Sequence, residues 1–183
     1  LFVLMGRSTW SAAQFLLNDL EKYTEAVFIG EPSGSKGNVY GDSRRITLPN
    51  SGITARVSVY YWQDWMPWDS RMWTPPDATA ELSSADYSKN IDPALKTALD
   101  YVPRPKLIER LNAALTAGGV EQVVKSFREF KAEPINKYVH TEEPLLIAGS
   151  RLLGEKKPEQ ALILFKLNAE ENPHSPRAFY ALG

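Results

Sequence analysis

The chain has 183 residues, 43% of them hydrophobic and 23% charged, which is the composition of a soluble globular protein with room for one or two domains. A net charge of −1 gives no reason to expect nucleic acid or an anionic membrane as partner. The absence of cysteine excludes disulfides, thiolate metal sites and a cysteine nucleophile, and no segment reaches the ~18 apolar residues of a membrane span.

Residues 1–5, LFVLM, are short, apolar and bounded by Gly6, and predict a buried strand. Residues 11–24 predict a helix with Ala12, Phe15, Leu16, Leu20 and Tyr23 on one face. Ala26–Ile29 predicts a second buried strand, ended by Gly30. Strand, helix and strand in so few residues imply a crossover and a parallel pair. That topology puts Ser11 at a strand's carboxyl end, where open α/β sheets hold ligands.

Glu31–Gly37 is a loop by composition. "RRITLP" and "ITARVSVYYW" predict a hairpin around Asn50-Ser51-Gly52. Ile53, Ala55, Val57, Val59 and Tyr61 alternate with more polar residues, so one face is expected to be the more buried. Residues 62–77 hold Trp62, Trp65, Trp68 and Trp73 together with Pro67, Pro75 and Pro76, which predicts an irregular segment packed by its rings. Those rings serve either as a platform for a peptide or sugar or, more simply, as packing. Asp64, Asp69 and Asp77 are too scattered to argue a metal site, and no cofactor is indicated. A short strand is expected over 79–82.

From Ile91 the pattern is helical. Asp92-Pro93 is a helix start. Pro103–Pro105 is read as a linker that divides the chain into 1–103 and 104–183. Helices are predicted at about 105–117, 120–131, 142–154 and 158–171, and from about 176. Gly118-Gly119, Pro134, Gly154 and Pro173 separate them. Gly149 and Gly183 lie 34 residues apart, with Ala161, Phe165 and Pro173 between them. This spacing over 142–175 resembles a tetratricopeptide repeat, and the resemblance implies helices that touch through small residues and a tail that contacts a protein partner.

Ser11 has two readings. Ser11-Ala12-Ala13-Gln14 is an S-x-x-Q capping box. The same serine at a helix start is also placed to act as a nucleophile, with helix amides to steady an oxyanion. A serine nucleophile needs a base. His140 and His174 both lie in the tail and read as ordinary polar residues. Lys36, in a glycine-flanked loop just after the second strand, is the other candidate, and it needs burial to lose its proton near neutrality.

The stretch "GRSTWSAAQFLLNDLEKYTEAVFIGEPSGSKG" resembles the core of the C-terminal-processing (tail-specific) serine peptidases, with their T-x-S-A-x-E segment followed by an apolar strand and G-E-T-x-x-G-K-G. The resemblance covers residues 1 to about 82, including "TLPNSGITARVSVYY" and Pro76-Asp77. It implies an α/β architecture: part of a crotonase-like (ClpP-like) peptidase core, followed by the all-α repeat tail. It implies Ser11 as nucleophile, Lys36 as general base, the Ala12 amide as oxyanion donor and polypeptide as substrate. Gln14 stands where the family often has a glutamate that positions the lysine, and Ser35 where many members have glycine. A related branch with retinoid-binding and tricorn-type members lacks the lysine and implies a histidine from upstream. Both ends of the sequence read as interior positions of a longer protein, so the piece alone is expected to be inactive, and the family suggests export to the bacterial envelope. The alternatives are a catalytically silent relative that binds peptide or an apolar ligand, and a scaffold built on the repeats.

Overall fold

The computed structural model describes residues 1–182. The protein is mixed α/β, with seven α-helices and small sheets among the described residues. It divides into two compact units, Leu1–Pro76 and Asp77–Gly183. The division falls after Pro76, so residues 77–103 belong with the helical part and not, as the Pro103–Pro105 linker suggested, with the first domain.

In the first unit, strands β1 (Phe2–Met5) and β2 (Val27–Gly30) pair in parallel, Phe2 opposite Val27 and Met5 opposite Gly30, with helix α1 (Ala12–Tyr23) between them in sequence. This is the expected strand–helix–strand unit. Its interior is smaller than the sequence suggested. Met5, Leu17 and Phe28 form the buried cluster, backed by Val3 and Leu20, while Phe2 and Leu4 of β1 are exposed. The buried residues of α1 are Gln14, Leu17 and Asn18, whereas Leu16 and Tyr23 face solvent. The inward stripe is therefore offset from the apolar one predicted.

Strands β3 (Asn38–Thr47) and β4 (Thr54–Gln63) form the expected antiparallel hairpin, although β3 begins six residues earlier than "RRITLP" implied. Leu48 N–H donates to Ile53 (2.9 Å) and Gly52, at φ 68°, donates to Leu48 (2.9 Å) to close the turn. No residue of β4 is buried, so the more buried face expected from its alternation is absent. Residues 64–77 are irregular, as the prolines require.

The second unit opens with a short strand, β5 (Ala78–Thr79), and two short helices, α2 (Ser84–Ser88) and α3 (Pro93–Leu99). Asp92 caps α3 by accepting from Leu95 N–H (2.9 Å), with Pro93 at the first turn. Helix α4 (Leu107–Ala132) is broken at Gly118 and Gly119 (φ 71°, ψ −159°), so it is two helices where the glycine pair predicted two. Helices α5 (Glu142–Gly154) and α6 (Pro158–Glu171) pack as a hairpin, and α7 (Pro176–Tyr180) follows. A Cβ on Gly149 would sit 2.3 Å from the Phe165 ring, so the close approach of α5 and α6 depends on a residue without a side chain. Leu111, Val123, Phe127, Leu145, Ala148, Leu152, Ala161 and Leu164 complete a continuous apolar interior. No helix among the described residues is long and apolar enough to cross a membrane.

Candidate active site

Chain direction must reverse between β1 and α1, and residues 6–11 do this. Thr9 N–H donates to Gly6 (2.8 Å), and Gly6 N–H donates to the Thr9 hydroxyl (3.1 Å). The loop after β2 clasps the same turn, for Gly34 N–H donates to Thr9 (2.8 Å) and Arg7 pairs with Glu31 (3.4 Å). The clasp tolerates no side chain at its contact points. A Cβ at Gly34 would lie 2.1 Å from the Arg7 carbonyl oxygen, and one at Gly30 (φ 130°) 2.1 Å from that of Met5.

Ser11 emerges from this turn with φ 59° and ψ −128°. That conformation belongs to glycine, and in any other residue it costs on the order of 1–3 kcal/mol and persists only where surroundings enforce it. It is also the kind of strained strand-to-helix turn on which serine hydrolases expose a nucleophile. Ser11 is exposed, and its hydroxyl makes no capping bond. Its carbonyl accepts from Gln14 N–H (2.9 Å) and Phe15 N–H (3.2 Å), which starts the helix without the side chain. The amides of Ala12 and Ala13, both exposed, precede the first helical hydrogen bond, so they remain open donors beside the Ser11 hydroxyl.

The capping box therefore does not form. Gln14 turns inward and is fully buried. Its Nε2 donates to Asn18 Oδ1 (3.0 Å) and to Thr74 Oγ1 (2.8 Å), spending both amide hydrogens. Its Oε1 is buried with no hydrogen-bond partner among the described residues. Asn18 extends the network by donating to the Gly37 carbonyl (3.0 Å) and to Asp64 (2.9 Å). Thr74 N–H donates to Ser33 Oγ (2.8 Å), Ser33 N–H to the Thr74 carbonyl (3.1 Å), and Ser33 Oγ to the Ser35 carbonyl (3.0 Å). The Ser35 hydroxyl is likewise buried with no partner among the described residues. Helix α1, the loop 31–37 and the segment around Thr74 are thus held together by directional polar contacts.

Lys36 stands between two tethered neighbours, yet its own side chain is exposed and makes no hydrogen bond or ion pair with any described residue. The structure thus ties Asn18 and Thr74, the partners of Gln14, to the loop that carries Lys36, but joins Lys36 to neither Gln14 nor Ser11 and leaves its side chain exposed. His140 is partly buried and lies 3.7 Å from Glu142, whose carboxylate also faces Arg177 at 3.8 Å; His174 is exposed.

The tryptophan segment is in part a brace. Trp65 Nε1 donates to Asp69, and Arg71 lies over the Trp65 ring at 5.4 Å while pairing with Asp69 (2.7 Å) and Glu21 (2.7 Å). Burial would raise the Asp69 carboxyl, but the charge and hydrogen bonds of Arg71, with the bond from Trp65, outweigh it and hold Asp69 below its ordinary value. Trp68 and Trp73 remain largely exposed. Asp64 and Asp69 are therefore occupied by Asn18 and Arg71.

Sequence reading singled out Ser11, Ala12, Gln14 and Lys36 and missed Asn18, Ser33 and Thr74. Only the i, i+4 spacing of Gln14 and Asn18 on one helix face signals a buried polar pair. No family model, curated protein or solved structure matches the chain.

Proposed function

We propose that Ser11 is the nucleophile of a serine hydrolase that cleaves polypeptide. The observation that carries this reading is the conformation of Ser11: strained, exposed and with an uncommitted hydroxyl at a strand-to-helix turn. Oγ attacks the scissile carbonyl and the proton passes to a base. The developing oxyanion accepts from Ala12 N–H, where the positive end of α1 adds to the stabilisation. Lys36, folded in from solvent as the neutral amine, takes the Ser11 proton, and Gln14 Oε1, buried with no partner among the described residues, is the acceptor that steadies the ammonium so formed. The finer architecture that accompanies this reading is part of a crotonase-like core followed by a tetratricopeptide-like tail, supported by the parallel β1–α1–β2 unit and by Gly149 packed on Phe165.

The exposure of Lys36 favours a second reading, a silent relative that binds peptide or a hydrolase whose base comes from elsewhere. A fluorophosphonate probe distinguishes them in the whole protein. Labelling at Ser11, lost in Ser11→Ala and slowed on the order of 100-fold in Lys36→Gln, supports the Ser–Lys hydrolase. Labelling insensitive to Lys36→Gln moves the base elsewhere. No labelling at Ser11 leaves the silent binder.

A further inference from the structure

The β3–β4 hairpin has two strands of ten residues each, and no residue of either strand is buried. Such a ribbon is marginal in water unless another element covers it. Its register sorts the side chains onto two faces. One carries the pairs Val39–Trp62, Gly41–Tyr60 and Arg45–Arg56 and begins where the Trp62 ring approaches Phe15 of α1 at 6.1 Å. The other carries Tyr40–Tyr61, with ring centroids 4.9 Å apart, then Arg44–Val57 and Ile46–Ala55, with Val59 on the same side. This second face has the alternation of a buried sheet surface, yet Tyr40 is 75% exposed and Val57 50%.

The charges say what kind of surface would cover it. Arg44 stands in the middle of the apolar face and forms no ion pair with any described residue, and Arg45 and Arg56 face each other across the strands, equally without one. Like charges directly opposite destabilise a hairpin. Residues 38–63 hold three arginines and, among acids, Asp42 alone, a surplus of two positive charges in a chain whose net charge is −1. Among the described residues the outer edges of both strands also lack a strand partner, since β3 and β4 form a two-stranded sheet. A second copy of the chain is a poor occupant, because a two-fold contact would set this surplus against itself.

We propose that the hairpin receives an extended, acidic polypeptide segment of a partner protein. The segment adds as a third strand along the outer edge of β3 and sets a carboxylate against Arg44, with apolar side chains on the same face lying along Ile46, two residues away, and Tyr40, four residues away. Main-chain pairing supplies affinity and the alternating side chains supply selection. This docking is independent of Ser11.

The test titrates the full chain into a fluorescein-labelled nine-residue peptide that alternates valine and threonine with glutamate at its centre, and into a twin with lysine at the centre. The glutamate peptide is expected to bind at least about tenfold more tightly than its twin. Arg44→Ala is expected to weaken it about fivefold and Arg45→Ala less, both effects shrinking at high salt. Hydrogen exchange should show β3 amides slowed by the peptide, which a purely apolar contact would not produce. Equal binding of the twins, indifference to Arg44→Ala, no binding, or concentration-dependent dimers with β3 already protected would each overturn the proposal; the last would assign the face to a second copy.

Discussion

The two units of this chain solve the problem of an interior in different ways. The second buries a continuous cluster of fifteen apolar side chains, while the apolar cluster of the first has three. Beside its apolar residues the first buries Gln14, Asn18, Ser33 and Thr74, joined to one another or to the backbone of loop 31–37. Apolar burial is roughly proportional to area and indifferent to direction, whereas a buried hydrogen bond is worth little net but costs about 1–3 kcal/mol when one partner is lost. The second unit also buries Asn136, Thr141, Glu142, Asn168 and Ser175, but around a large apolar cluster, so directional polar contacts carry the larger share in the first. Orientation is what a reacting group requires, and the candidate serine lies in the first.

That contrast can be broken, and the largest effect is expected in the second unit. Phe165→Ala removes the ring that Gly149 accommodates, and should cost about 3–5 kcal/mol in denaturant unfolding. A loss well below this would mean that the α5–α6 contact is looser than its geometry. In the first unit, Arg71→Met strands Asp69 and Glu21 together and should cost about 2 kcal/mol. It should also change the pH response. The folded Asp69 carboxyl lies below its ordinary value, so its stabilisation is whole above about pH 4 and fades as pH falls further. Acid titration of Arg71→Met should show that fading reduced, and an unchanged acid limb would remove Asp69 from the account.

Thr74→Val keeps the shape but deprives Gln14 Nε2 of an acceptor, for about 1–2 kcal/mol. Thr74→Ser should restore most of the loss, and failure of that rescue would mean that packing, not the hydroxyl, holds the segment. The smallest effect has the opposite sign. Ser11→Gly relieves the positive φ and should stabilise by about 1 kcal/mol, whereas Ser11→Ala should not. Equal stability of the two variants would mean that the turn is unstrained.

The sequence announced whatever depends on neighbours in the chain. The Gly118-Gly119 break, the Asp92-Pro93 start, the hairpin turn and the strand–helix–strand order all follow from local residue types. What it concealed depends on distant partners. Apolar periodicity assigned Leu16 and Tyr23 to the inside of α1, but Gln14 reaches Thr74, sixty residues away, and Asn18 reaches Gly37 and Asp64, so the polar stripe turned inward instead. The box Ser11-x-x-Gln14 read correctly as a helix start and wrongly as a reciprocal cap, because the inward pull on the glutamine side chain could not be seen from four letters. In the same way, Ser11 was legible as a candidate and its backbone conformation was not.

Gly30 and Gly34 give that conformation a particular status. Because neither position admits even a methyl group against the carbonyls of Met5 and Arg7, the departing strand and the returning loop are zipped together just below the serine. The twist at Ser11 is therefore a property of the assembled unit and not of its own octapeptide. Grafted onto the start of a helix in some foreign scaffold, RSTWSAAQ would carry its helix-initiating letters with it, relax into an ordinary cap and leave the bend behind.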